Sequence, residues 1–317
     1  MPAAPSPTVP QAARRDPTAW QLATLPDTLD LEAARAFCRD VARRHYENFT
    51  VATRLVPPRL RQHLATVYAF ARWSDDLADE SPDLVTATAA LDDWRRRLDA
   101  CFAGRPDHPV FVALADTVAA TGLPIEPFAD LLDAFRQDQV RTRYADRGEL
   151  LDYCRRSADP VGRIVLGLEG CRDPALLVMS DAICSGLQLV NFWQDIRRDR
   201  LAGRIYLPAD DMARFGVVET DLDRPAATPG VADLVRSEVA WARECFARGA
   251  PLATRAPAVL RPAIGMFLGG GRALADAIER AGHDTLARRP TVGPGRKLAL
   301  AATAWCRSWS VAGWSRA

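Results

Sequence analysis

After its first 28 residues the chain repeats apolar side chains at intervals of three and four positions, which is the period of an amphipathic helix. Runs of alternating β-branched and polar residues, which are typical of strands, do not occur in the sequence. Predicted helices span about 29–53, 57–80, 86–103, 108–121, 126–143, 148–168, 173–201, 231–254, 257–282 and 294–312. We therefore expect one all-α domain over 29–317, in which Pro160 kinks or breaks its helix.

Residues 1–28 hold six prolines and no apolar stretch, so we expect a flexible tail and not a secretory signal. The chain has 41 basic and 40 acidic residues, a net charge of +1. A chain with so small a net charge lacks the large positive electrostatic potential with which many proteins bind nucleic acids. The seven cysteines lack the spacing of a zinc site, and reduced thiols of this kind favour a cytoplasmic protein.

Two acidic stretches carry the clearest chemical signal. Asp75 and Asp79 lie four positions apart, so they share one face of the second predicted helix. Asn191, Asp195 and Asp199 repeat at the same spacing in a later helix. Like charges at this spacing repel, so a bound cation would stabilise a helix that carries them. Oxygen ligands without His or Cys suit Mg²⁺, whose coordination is commonly completed by substrate phosphates.

If the two stretches face each other, they can hold Mg²⁺ around a diphosphate and make that group a good leaving group. Either stretch alone is more often a solvated acidic surface. Both together, on a helical chain that has neither an EF-hand loop nor a P-loop, favour the metal site.

A set of motifs between residues 30 and 290 resembles a known family. The motifs are His45-Tyr46-Glu47-Asn48-Phe49, Tyr68-Ala69-Phe70-Ala71-Arg72, the pair Asp75 and Asp79, Tyr153-Cys154, Gln188-Leu189-x-Asn191-x-x-x-Asp195-x-x-x-Asp199, and Gly203-Arg204-x-Tyr206-Leu207-Pro208. Together they resemble the squalene/phytoene synthases, which join isoprenyl diphosphates head to head. The resemblance implies the all-α terpenoid synthase fold with a central hydrophobic cavity, and an isoprenoid diphosphate as substrate.

The resemblance also implies roles for single residues. The implied Mg²⁺ ligands are Asp75, Asp79, Asn191, Asp195 and Asp199, and the four aspartates are also candidate catalytic residues. The implied contacts to the diphosphate or to the reacting prenyl head are His45, Arg72 and Gln188. Phe49 and Tyr68 would line the pocket. By spacing alone, His45 would be an ordinary helix histidine.

The stretch after Tyr153 departs from the family pattern. Squalene and phytoene synthases have tyrosines and then Val-Ala-Gly-x-Val-Gly, whereas Arg155 and Arg156 take the tyrosine positions here and Asp159 takes the glycine position. Gln194 stands where an arginine often precedes the aspartate of the second motif. Arg155 and Arg156 are candidates to bind the departing diphosphate, although arginines on a helix are as often exposed to solvent.

These departures resemble the bacterial hopanoid-cluster branch called HpnC, whose members are hydroxysqualene synthases that do not use NADPH. The resemblance implies a carbon–oxygen lyase that ionises presqualene diphosphate with Mg²⁺, rearranges the cation and lets water capture it, with no nicotinamide. One alternative is head-to-head condensation of farnesyl diphosphate to presqualene diphosphate or squalene, or of geranylgeranyl diphosphate to phytoene. A non-enzymatic alternative is an all-α lipid-binding protein.

Water capture needs a polar group in an apolar cavity, and Asp159 or its neighbours at the proline break are our candidates. The alternative is that Asp159 pairs with Arg155 or Arg156 and holds the kink in place. The predicted helix 294–312 is amphipathic, so loose contact with the inner face of the membrane is a further expectation.

Overall fold

The computed structural model describes residues 30–45 and 56–293, and over these ranges it contains helices and no β-strand. The helices are α1 (Leu31–His45), α2 (Pro58–Asp79), α3 (Leu84–Phe102), α4 (Pro109–Thr121), α5 (Glu126–Asp138), α6 (Arg147–Ser157), α7 (Asp159–Gly167), α8 (Pro174–Leu201), α9 (Ala209–Arg214), α10 (Pro229–Gly249), α11 (Leu252–Arg255) and α12 (Arg261–Arg280), with a short 3₁₀ helix (Glu219–Asp223) between α9 and α10. The prediction of an all-α fold is confirmed. The predicted tail 1–28 and the predicted helix 294–312 lie outside the described residues.

The sequence marks where these helices begin. Pro58, Pro109 and Pro174 each lie in a first turn, where the N–H group that proline lacks is not needed. The side chains of Asp83 and Asp146 accept backbone N–H groups at the starts of α3 and α6. These local signals explain why most predicted starts agree with the structure within two residues.

The predicted break at Pro160 is confirmed, because α6 ends at Ser157 and α7 begins at Asp159. The helix predicted over 126–143 ends earlier, at Asp138. The following residues 142–145 run beside 203–210 instead, and the N–H groups of Ile205 and Ala209 donate to the carbonyls of Thr142 and Tyr144 at 2.9 and 3.0 Å. The short helix α9 was not predicted.

Helix α8 is the centre of one half of the fold and packs against α6, α7, α10, α11 and α12. Helix α2 has the same place in the other half and packs against α1, α3, α4 and α5. Helices α5, α6 and α7 contact one another and connect the halves. In the described part of the chain, α8 alone has the length and apolar composition of a membrane span, and its contacts are those of a core helix.

Phe246 of α10 fills the contact between α8 and α12, where both helices carry a glycine. A Cβ atom on Gly186 of α8 would lie 2.8 Å from the Phe246 ring, and one on Gly271 of α12 would lie 2.4 Å from it. The ring is fully buried and so has little room to move away. The three helices therefore approach closely because these two positions lack side chains.

We expect Gly271→Ala to lower the free energy of unfolding by about 1–3 kcal/mol, because it overpacks this contact. Gly270→Ala is the matched control, since nothing lies within 4 Å of a Cβ atom at that position. The control should raise the free energy of unfolding by up to about 1 kcal/mol, as alanine favours the helix more than glycine does. Urea unfolding of both variants measures the difference, and equal effects would contradict the proposed packing.

Candidate active site

The first acidic stretch forms the last two turns of α2. Asp75 is half-buried, and Asp79 is exposed one turn later. Arg72 donates to Asp75 Oδ2 at 2.9 Å and also forms an ion pair with the buried Asp76. Burial and the charge of Asp79 raise the pKa of Asp75, and burial raises the pKa of Asp76 to about 7. One guanidinium group therefore neutralises a partly buried acidic turn.

The second acidic stretch forms the last turns of α8, and a second arginine binds it. Arg289 donates to both carboxylate oxygens of Asp195, at 2.5 and 2.8 Å, and to Gln194 Oε1 at 2.8 Å. Gln194 Nε2 donates in turn to the carbonyl of Pro290 at 2.6 Å. Burial and the charge of Asp195 raise the pKa of Asp199 to about 7.

A third arginine connects the two stretches. Arg204 Nη2 lies 3.5 Å from Asp79 Oδ1 at the end of α2. The same positive charge opposes the rise in the pKa of Asp199 at the end of α8, and it acts likewise on Asp138 at the end of α5. The structure therefore brings the ends of α2 and α8 together around Arg204, and with them the end of α5, which the sequence did not predict.

The backbone on both sides of Arg204 is fixed by the segment 142–145. Besides the two backbone hydrogen bonds described above, Arg143 Nη1 donates to the carbonyl of Gly203 at 2.7 Å. The ring of Tyr206 stacks on Phe192 of α8, with 3.8 Å between ring centroids and 10° between ring planes. Tyr206 also lies near Tyr144, at 5.7 Å. Aromatic faces beside the acidic site can stabilise a cationic intermediate.

The donor atoms at this site suit a hard divalent cation that is completed by other ligands. Among residues 30–45 and 56–293, no group of three His, Cys, Asp or Glu side chains converges as in a cage built from protein ligands alone. Each acidic stretch instead offers one or two carboxylates, and Mg²⁺ commonly binds such pairs together with waters and phosphate oxygens. The residues present therefore fit Mg²⁺ that is bound with a diphosphate.

An apolar cavity of about 140 Å³ lies against one face of α8, nearer to its N-terminus than the acidic stretch. Its walls include Ser180, Cys184 and Leu187 of α8, and Gly162 of α7, where a Cβ atom would lie 2.2 Å from Ser180 Oγ. The face continues at the same spacing to Asn191 and Asp195. Leu187 and Asp195 are eight residues apart, or about 12 Å along the axis. One helix face is thus apolar in its first half and rich in oxygen donors in its second half.

The other residues to which the resemblance gave a role differ in their exposure and in their distance from the acidic ends. Tyr68 is half-buried, one turn before Arg72 on α2, and Gln188 is half-buried on α8. Arg155 is exposed and pairs with Asp152 at 3.1 Å, while the acidic ends are bound by other arginines. The side chains of His45 and Phe49 lie outside the described residues.

Asp159 is buried at the junction of α6 and α7, where Ser185 Oγ of α8 donates to its Oδ1 at 2.8 Å. Burial raises the pKa of Asp159 to about 7. The alternative that Asp159 pairs with Arg155 or Arg156 is wrong, because both guanidinium groups pair with Asp152. Whether Asp159 positions a water molecule stays a prediction.

Three residues of the site had no assigned role in the sequence analysis. Arg204 belongs to a quoted motif, but its spacing gives no sign of the residues that it contacts. Asp138 lies in no motif. One feature of the sequence could have pointed to Arg289, because Gln194 replaces an arginine of the family pattern. In the structure the Arg289 guanidinium group binds both Gln194 and the neighbouring Asp195.

Comparisons with known protein sequences agree with this geometry. The family model described as squalene/phytoene synthase matches residues 42–296. A phytoene synthase of Arthrospira platensis is 33% identical over 278 residues, which cover 82% of this chain and 89% of that protein. A 15-cis-phytoene synthase of Synechocystis is 33% identical over 294 residues, which cover 88% of this chain and 86% of that protein.

Solved structures include similar folds. The crystal structure of squalene synthase HpnC from Alicyclobacillus acidocaldarius is 42% identical with a TM-score of 0.77, and the match covers 83% of this chain and 98% of that one. A dehydrosqualene synthase in complex with a ligand is 26% identical with a TM-score of 0.79, and the match covers 88% and 98% of the two chains.

Proposed function

The chain belongs to the squalene/phytoene synthase family, and on that premise we propose that it converts presqualene diphosphate to hydroxysqualene with the help of Mg²⁺. The observation that carries the substrate class is the face of α8, where Leu187 in the wall of an apolar cavity precedes Asp195 of the acidic end by about 12 Å along the helix. A lipid diphosphate has the same order of apolar and anionic parts. The choice of branch rests on the 42% identity to HpnC, against 33% to the two phytoene synthases.

In this proposal the two acidic stretches would hold Mg²⁺, which would supply the positive charge that neutralises a leaving diphosphate. The proposed ligands are Asp75, Asp79, Asn191, Asp195 and Asp199. Guanidinium groups match the geometry of phosphate oxygens, so the arginines at the ends of α2 and α8 bind the diphosphate. The rings of Phe192 and Tyr206 stabilise the cation that is left, and the apolar walls exclude bulk water from it.

One observation favours a second reaction on the same site. The curated relatives described above are phytoene synthases, so the alternative is head-to-head condensation of geranylgeranyl diphosphate to phytoene, or of farnesyl diphosphate to presqualene diphosphate or squalene. The non-enzymatic alternative is an all-α lipid-binding protein, in which the acidic residues would serve only as ion-pair partners of Arg72, Arg204 and Arg289.

The test is incubation of the purified full chain with Mg²⁺ and, in separate reactions, presqualene, farnesyl and geranylgeranyl diphosphates. Mass spectrometry identifies the lipids, and released diphosphate is measured in parallel. We expect hydroxysqualene from the first substrate, no lipid product from the other two, and no release in excess EDTA. Phytoene or presqualene diphosphate as a product would establish the condensation reaction, and lipid binding without diphosphate release would establish the binding protein.

A lipid substrate also fits our proposal of a cytoplasmic protein in loose contact with the inner face of the membrane. The predicted helix 294–312 would supply the contact, and it lies outside the described residues. Co-sedimentation of the full chain, and of a chain that ends at residue 293, with anionic vesicles tests this role. Equal sedimentation of the two chains would rule the helix out.

A further inference from the structure

The proposed reaction ends with a water molecule, and the group that holds this water must lie near the cation. The cation forms at the carbon that carried the diphosphate and rearranges to an adjoining carbon before water captures it, so it stays close to the acidic ends of α2 and α8. Asp159 is bound to Ser185, which precedes Asp195 by ten residues, or about 15 Å along α8. Asp159 is therefore far from the point where the cation forms.

A different carboxylate lies at the acidic site itself. Asp138 is the last residue of α5, and the hydroxyl group of Tyr153 donates to its Oδ2 at 2.8 Å. Its other oxygen, Oδ1, is buried and has no hydrogen-bond partner among the described residues. A buried carboxylate oxygen without a partner is costly, and a bound water is the usual way to satisfy it.

The charges of the acidic stretch of α2 and of Arg204 act on Asp138. The negative charges of Asp75 and Asp79 raise the pKa of Asp138, and the positive charge of Arg204 lowers it. The net result, with burial as the largest cause, is a pKa of about 6. The carboxyl group is thus mainly ionised at neutral pH and can accept a proton.

The ring of Tyr153 adds an aromatic wall to this carboxylate. Tyr153 is buried, and its ring lies 5.9 Å from Tyr206 and 6.2 Å from Phe192. These are the rings that we assigned to cation stabilisation. A cation held against them therefore lies next to the Asp138–Tyr153 pair.

We infer that Asp138, oriented by Tyr153, holds the water that captures the cation and accepts its proton. This inference rests on the proposed function. A C–O bond forms between the water oxygen and the carbocation, one O–H bond of that water breaks, and its proton moves to Asp138 Oδ1. Nothing is oxidised or reduced, and the proton later passes to solvent.

The experiment compares Asp138→Asn with Asp159→Asn, using presqualene diphosphate as substrate in both cases. The readout is the amount of hydroxysqualene formed per diphosphate released, which does not depend on how much of the enzyme is folded. For Asp138→Asn we expect this ratio to fall at least about tenfold and hydrocarbons formed by proton loss to increase, because an amide is a poor proton acceptor. Asp159→Asn should keep the parent ratio.

A parent-like ratio for Asp138→Asn would overturn the inference, and the departing diphosphate would then be the proton acceptor. A fall for Asp159→Asn alone would also overturn it, in favour of the prediction from the sequence. Tyr153→Phe keeps the ring, removes the hydroxyl group and should lower the ratio in the same direction, so it serves if Asp138→Asn does not fold. If the parent chain forms no hydroxysqualene, the proposed function fails first; if the parent does and both variants match it, only this inference fails.

Discussion

Asp199→Asn should lower kcat/KM for presqualene diphosphate by at least about 100-fold, because a neutral amide replaces a carboxylate that we propose as a ligand of Mg²⁺ and so weakens the binding of the ion that would neutralise the leaving diphosphate. Diphosphate release at saturating Mg²⁺ measures the effect. Asp233→Asn is the control, since Asp233 is an exposed acid on α10 that pairs with Arg236 within its own helix. A variant that keeps the parent kcat/KM would remove Asp199 from the proposed metal site.

Asp199→Asn, which should lower activity, should raise the free energy of unfolding when EDTA is present. The pKa of Asp199 is about 7 in the folded chain, against an ordinary value of 3.8. Between these two values the folded chain holds a proton that the unfolded chain has released, so the stability of the parent falls as the pH rises from 4 to 7. Asp199→Asn lacks this penalty and should be more stable than the parent at pH 8, with an advantage that disappears near pH 4. Urea unfolding at pH 4, 6 and 8 measures it, and an advantage that grows towards pH 4 would contradict the stated cause.

Arg72→Leu should both destabilise the fold and abolish activity, and a second substitution should separate the two effects. The variant leaves Asp76, which is 2% exposed, without the cation that pairs with it. Breaking such a pair costs about 3 kcal/mol, and partial exposure of Arg72 makes about 2 kcal/mol a fair expectation at pH 8. The loss should be smaller at pH 5, because burial already raises the pKa of Asp76 to about 7 and a protonated carboxyl needs no partner.

The double variant Arg72→Leu, Asp76→Asn should recover the stability at pH 8 and stay at least about 100-fold less active than the parent. Urea unfolding and diphosphate release, measured on the same preparations, give the two values. The reason for the difference is that asparagine removes the buried charge but cannot replace the guanidinium group that we assign to the diphosphate. Recovery of activity in the double variant would show that Arg72 acts only as a counter-ion.

The features of this protein that could be predicted are those that depend on the spacing of residues close together in the sequence. The period of apolar residues and the prolines at first turns place α2, α3, α4 and α8 within a few residues. The spacing of four between acidic residues put Asp75 and Asp79 on one helix face, and the same rule applied to α8. These properties depend on neighbours in the chain, so a single sequence contains them.

The parts that could not be predicted depend on contacts between distant residues. Arg289 follows Asp195 by 94 positions, and no helical period connects the two. Helix α5 ends at Asp138 because the next segment pairs with residues 203–210, and that pairing exists only in the folded chain. Asp138 therefore reaches the acidic site through tertiary structure, which local propensity does not describe.

The pairing of arginines with the acidic residues has a consequence for the order of binding. Arg289 occupies both carboxylate oxygens of Asp195, so a cation that binds Asp195 would compete with Arg289, and one that binds Asp75 Oδ2 would compete with Arg72. Each displaced guanidinium group is then free to bind a phosphate oxygen. If the site binds Mg²⁺ and diphosphate as proposed, we therefore expect the affinity for either to rise in the presence of the other by the same factor. On the proposed function, the site would therefore bind the complete metal–diphosphate complex in preference to either part alone.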